Sequence, residues 1–119
     1  MSNSVLNLDK LNTWQQMDPE GKAGFLKKLI SIYLSSAPAF ETQIENAIAT
    51  ADSGALIKAA HTFKSSTANV GADSLADICR QLEECGCKNR MGEASELLTK
   101  MKAESRQVTA ALKELFKKC

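Results

Sequence analysis

The sequence predicts an all-α protein: an antiparallel up-down four-helix bundle with a short helix ahead of it. Three observations lead there. Ala, Leu, Lys and Glu are abundant, only two prolines are present and β-branched residues do not cluster, a composition that favours helix. Apolar residues recur three and four apart along nearly the whole chain. The interruptions are short and turn-like, with no linker, internal repeat or low-complexity segment. At 119 residues, 44% hydrophobic and 24% charged, the chain reads as a single globular domain, 1–119, able to bury a real core.

The elements follow in order. Leu8, Leu11 and Trp14 have the spacing of a short amphipathic helix, begun by Asn7 or Ser4 as cap. "DPEG" breaks it, and Asp18 with Pro19 is a usual way to start another helix. From about Lys22, the residues Phe25, Leu26, Leu29, Ile32 and Tyr33 repeat at helical spacing. Pro38 removes a backbone donor and is expected to kink or end that helix, after which Phe40, Ile44, Ala47, Ile48 and Ala51 resume one stripe. "DSG" at 52–54 is a turn that supplies Asp52 or Ser53 as the next cap, for a helix over about 54–70 with Gly71 at its C′ position. Leu75, Ile78, Cys79, Leu82 and Cys85 form the next apolar face, which stops near "CGCKNRMG". Ala94, Leu98, Met101, Ser105, Val108, Leu112 and Leu115 then make the seam of a long last helix packed at a shallow angle. The sum is four bundle helices, the first kinked at its proline.

Charge narrows the function classes. Fifteen basic and 14 acidic residues leave a formal charge of +1, too balanced for a nucleic-acid-binding face. "MSNSVLNLDK" lacks the order of a signal peptide, and "FLKKLISIYL" is too short and too charged to span a bilayer. A cytoplasmic protein without membrane or nucleic-acid partners is therefore expected, and a monomer, because each apolar stripe is used up inside the bundle. Cys79, Cys85, Cys87 and Cys119 have the wrong spacing for a structural zinc site, and a disulfide framework does not suit this context, so they read as reduced thiols. No metal is expected.

The single histidine, in "KAAHTFKSSTANVGA", is the candidate functional residue. Leu56, Ala59, Ala60, Phe63, Thr67 and Val70 cluster on one side of the helix and define its core face. At ~100° per residue His61 lies ~140° from that direction and faces solvent. An exposed lone histidine is usually inert; here its neighbours argue otherwise. Ile57 and the small Ala68 leave it on an open, partly apolar patch, and Lys64 and Ser65 follow one turn on. A neutral imidazole is a competent nucleophile. A phosphoryl group on one ring nitrogen would be neutralised by the Lys64 ammonium at i+3, with Ser65 able to add a hydroxyl donor. No carboxylate stands three or four residues away on the same helix to make a hydrolase triad. No GxSxG, P-loop or kinase Gly-rich loop is present either, so a phosphoryl group would have to arrive from elsewhere.

"AAHTFKSSTANVGADSLADICRQLE", residues 59–83, resembles the signature of histidine-containing phosphotransfer (HPt) domains of multistep two-component signalling. His61, Lys64, Ser66, Gly71, Ala72, Leu75, Leu82 and Glu83 fall on its pattern, and "DPEGKAGFLKKLISIYLSSAPAFETQI" looks like the family's first bundle helix with its central proline. The resemblance implies that His61 accepts a phosphoryl group from the aspartyl phosphate of one receiver domain and passes it to another. It implies a carrier rather than an enzyme, with no cofactor of its own and with Mg²⁺ on the receiver. Receiver domains of hybrid sensor kinases and response regulators are then the partners. Lys64 would stabilise the phosphoryl group, and Ser65 stands where the pattern has Gly, still small enough for access. Ile57, Lys58 and Ala68, with Leu8 and Leu11 from the first helix, would meet the partner, and Gly71 is structural. Phe63 replaces a more usual Leu on the core face and alters packing only. The alternative reading is a helical adaptor that binds receiver domains without being phosphorylated.

Overall fold

The protein is described here by a computed structural model over residues 5–16 and 24–118, which form five α-helices. They are α1 (Leu8–Gln16), α2 (Phe25–Ala49), α3 (Ser53–Asn69), α4 (Asp73–Cys87) and α5 (Met91–Lys118). The helices α2 to α5 each pack on their sequence neighbour, α5 closes the ring against α2, and α1 lies on α2. Asp18 and Pro19, the alternative cap Ser4, the Trp14 side chain and Cys119 lie outside the described residues.

The core is the set of stripes the spacing picks out. Phe63 is fully buried at its centre, with the Tyr33 ring stacked 6.2 Å away and Phe40 at 5.8 Å. Burying a side chain of that size contributes about 1.5–3 kcal/mol. Ile30, Ile44, Leu56, Leu75, Leu82, Met101, Val108 and Leu112 are buried around it. Of the α5 seam, Ala94 and Ser105 are also buried, while Leu98 and Leu115 are half-buried. At the far end of the α2–α5 pair, the Lys27 ammonium lies 4.9 Å from the centre of the Phe116 ring.

Helix α2 continues through Pro38, so of the two outcomes expected at this proline, a kink or an end, it does not end the helix. The loss of one donor is outweighed by packing on both sides, since Tyr33, Ala37, Ile44 and Ala47 are all buried. Leu11 is 3% exposed and belongs to the core, which removes it from any docking surface. The apolar stripe of so short a helix is what fixes it to the bundle, and Leu11 is its buried contact. Leu8, 63% exposed, points the other way.

The turn from α3 to α4 positions the histidine helix. Asp52 caps α3, its Oδ1 accepting from Ala55 N–H at 3.0 Å. At the other end Gly71 takes φ 77°, a left-handed conformation that favours glycine. A Cβ on Gly71 would sit 2.9 Å from the Asn7 carbonyl oxygen, because α1 is seated on this turn. Asn7 caps α1 through its Oδ1 and donates from Nδ2 to Asp73 at 2.8 Å, and Lys10 reaches the same carboxylate at 2.9 Å. These two donors hold the Asp73 carboxyl below the usual carboxylate range.

Candidate functional site

His61 stands on the middle of α3 with its side chain 61% exposed, as the apolar spacing predicts. Helix α4 runs back beside it. His61 and Glu83 lie equally far from Ala72, the N-cap of α4 at the end of the turn, so an antiparallel pair brings them face to face. His61 Nδ1 is 3.0 Å from Glu83 Oε2. The other carboxylate oxygen, Oε1, accepts from Lys64 Nζ at 2.9 Å.

The chemistry of this chain follows from its centre. The Lys64 hydrogen bond is the largest influence on Glu83 and, with His61, holds its carboxyl below the usual range against the opposing effect of burial. Glu83 is therefore ionised near neutral pH and can only accept. The proton of a neutral imidazole then sits on Nδ1, which leaves the Nε2 lone pair as the nucleophilic position. A ring attacking through Nε2 develops positive charge, and Glu83 lies in contact with it. Thr67 Oγ1 donates to the Lys64 carbonyl at 2.9 Å, and Thr67 itself is buried, which fixes this turn of α3 to the core.

Glu83 falls on the sequence pattern, yet no function attaches to it from the sequence. Helical spacing relates only residues three or four apart on one helix, and this carboxylate arrives from the next helix. The signal is the register of the α3–α4 hairpin.

The remaining site residues are placed as follows. Ser65 is exposed one turn beyond His61, Lys58 is exposed one turn before it, and Ala68 is half-buried further along the same face. Ile57 is half-buried and covers Gly86 of α4. A Cβ at Gly86 would meet Ile57 Cγ1 at 2.7 Å, so the two helices approach closely there. Leu8 is exposed on α1, beyond the turn that Asn7 holds. Among the described residues, no group of three or more His, Cys, Asp or Glu is arranged to hold a metal ion. Burial pushes the Cys79 thiol up to about 12, Cys85 is buried, and Cys87 is exposed.

Compared with protein families, residues 28–117 match the Hpt domain. The chain belongs to the Hpt family. As an Hpt domain it is a histidine phosphotransfer carrier of phosphorelays, and not a kinase. Its fold matches histidine-containing phosphotransfer protein B from Pseudomonas aeruginosa PAO1, with a TM-score of 0.89 at 24% identity over 99% of each chain. It also matches the HPT domain of an Hpt sensor hybrid histidine kinase from Shewanella, with a TM-score of 0.80 at 16% identity over 97% of this chain and 96% of the other. No curated protein sequence gives a significant match. Hpt domains in general interact with receiver domains. Among the described residues, no helix is long and apolar enough to cross a membrane.

Proposed function

We propose that His61 is the phosphoacceptor of this Hpt domain. The observation that carries the reading is the chain Lys64–Glu83–His61, which orients the one histidine, sets its tautomer and leaves it open to solvent. The Nε2 lone pair attacks the phosphorus of a receiver's aspartyl phosphate. The P–O bond to the aspartate breaks with its electron pair, the aspartate leaves as carboxylate, and the N–P bond forms. The imidazole keeps its Nδ1 proton, and Glu83 stabilises the positive ring, as a carboxylate does behind a catalytic histidine. Transfer to a second receiver is the reverse step on a new aspartate.

Lys64 is already beside the carboxylate that holds the ring, and it turns part of its charge to the phosphoryl oxygens once they arrive. Ser65 keeps the approach to Nε2 clear, and Ile57, Lys58, Ala68 and Leu8 meet the receiver. Mg²⁺ and the acidic groups that bind it belong to the receiver, and the carrier uses no nucleotide or cofactor of its own. The protein works in the cytoplasm as a monomer.

Incubation with a phosphorylated receiver domain tests this reading. The expected label is acid-labile and base-stable, and it is lost in His61→Gln. Undiminished label in His61→Gln would contradict the assignment, and stable receiver binding without label on the parent chain would favour the adaptor.

A further inference from the structure

Helix α5 is charged unevenly around its axis. Lys102, Arg106 and Lys113 lie within ~40° of one another. The acidic residues of the helix, Glu93, Glu96, Glu104 and Glu114, all lie at least ~80° from Arg106. The basic edge borders the seam between α2 and α5, where a groove of about 520 Å³ opens. Along α5 the groove is lined by small uncharged side chains: Ser105 is buried, Thr109 half-buried and Ala110 exposed. The carboxylates on the α2 side are already engaged, since Glu41 accepts from Ser105 Oγ at 2.7 Å and Glu45 from Lys102 Nζ at 2.7 Å. Among the described residues, Arg106 and Lys113 have no acidic partner. Two uncompensated cations therefore stand at the edge of an open trough.

We propose that this α2–α5 groove binds an acidic helical segment of a partner protein, with two carboxylates meeting Arg106 and Lys113. These cations are seven residues apart, ~20° around α5 and ~10 Å along it. That is the spacing of residues i and i+7 on a second helix laid alongside, and the small side chains of Thr109 and Ala110 let such a helix come close. A lone phosphate or carboxylate is too short to satisfy two cations ~10 Å apart, whereas carboxylates two turns apart match both. Glu41 within the groove and Glu45 beside it repel a phosphate backbone, which disfavours nucleic acid. Helix α5 packs on α4 and α2, diagonally across the bundle from α3. A segment held there leaves His61 open, so the groove tethers a partner without covering the histidine, and the proposal does not depend on which residue is phosphorylated.

Fluorescence anisotropy on the full chain tests this, with a labelled alanine-rich helical peptide carrying Glu at two positions seven apart. The same peptide with Gln at both positions is the comparison. The Glu peptide should bind and shift the backbone amide resonances of Ser105, Arg106, Thr109 and Lys113, while the Gln peptide binds roughly tenfold more weakly. Arg106→Gln with Lys113→Gln should lose affinity by a similar factor, and Arg106→Glu with Lys113→Glu by more, with circular dichroism unaltered in both. Lys28→Gln with Lys100→Gln removes the same charge from exposed positions outside the groove and should bind like the parent. No binding of the Glu peptide, equal affinity for the two peptides, or an equal loss in the Lys28 and Lys100 variant would overturn the proposal. Displacement by inorganic pyrophosphate at lower concentration than by unlabelled peptide would also overturn it, because the groove would then be a small-anion site.

Discussion

Glu83 on α4 holds His61 on α3 through Nδ1 at 3.0 Å, while its second oxygen takes Lys64 at 2.9 Å. One carboxylate thus joins the two residues that the sequence associates with phosphotransfer. It gives the ring an orientation and a tautomer, so Glu83 is a positioning residue for His61.

Replacing Glu83 with Gln keeps the shape and removes the charge. The amide can donate as well as accept, so the Nδ1–H tautomer is no longer enforced. Transfer from a phosphorylated receiver should fall roughly ten- to hundredfold, in line with the cost of small losses of orientation. Rapid-quench rates measure this, and ¹⁵N chemical shifts of the imidazole should show Nδ1–H fading as the favoured form. An unchanged rate with an unchanged tautomer would leave Glu83 as a surface ion pair.

The same carboxylate gives a pH dependence of stability. Its carboxyl is depressed in the folded chain relative to the ordinary value of 4.5, chiefly by Lys64. A depressed carboxyl stabilises the fold above its unfolded pKa, and that contribution is lost as pH falls through the folded value. Asp73 has the same sign through Asn7 and Lys10. Thermal unfolding of the parent chain and Glu83→Gln should therefore differ at pH 7 and converge as pH drops below about 4.5. A gap that stays constant from pH 7 to 3 would show that the charge of Glu83 is not what stabilises.

Lys64→Ala should leave the fold almost intact. Its ion pair with Glu83 is partly solvated, with side chains 32% and 22% exposed, and pairs of that kind contribute below about 1 kcal/mol. The effect belongs to the phosphorylated state, where a charge-assisted hydrogen bond is worth about 1.5–3 kcal/mol. Transfer should slow or the phosphohistidine lifetime shorten, with circular dichroism unaltered. Parent-like kinetics would exclude Lys64 from the mechanism.

Gly71→Ala tests how the histidine helix is terminated. The left-handed backbone costs a non-glycine residue about 1–2 kcal/mol, and the new Cβ would lie 2.9 Å from the Asn7 carbonyl oxygen. Chemical denaturation should show at least that loss, with hydrogen exchange fastest at Asn7–Leu11, where α1 is seated on the turn. Parent-like stability would mean that α1 is not anchored there.

Much of this was legible in the residues. Phe63 and Thr67 inward with His61 outward follow from one helical wheel, and Asp52 and Gly71 bound the helix as cap chemistry requires. Periodicity is a local signal, and it fails where the deciding contact crosses between helices. Glu83 reaches His61 only because α4 runs back along α3, a relationship that spacing on one helix does not express. Leu8 and Leu11 both read as apolar surface candidates, and only the seating of α1 separates the exposed one from the buried one. Pro38 marks a weak point in any helix, and the packing of its neighbours decides that α2 continues.

The most direct measurement is to phosphorylate the chain from a receiver domain and map the modified residue by tandem mass spectrometry under alkaline conditions that preserve phosphohistidine. The account predicts a single phosphoryl group on His61, absent in His61→Gln. A phosphoryl group on any other residue, or its persistence in His61→Gln, would contradict it.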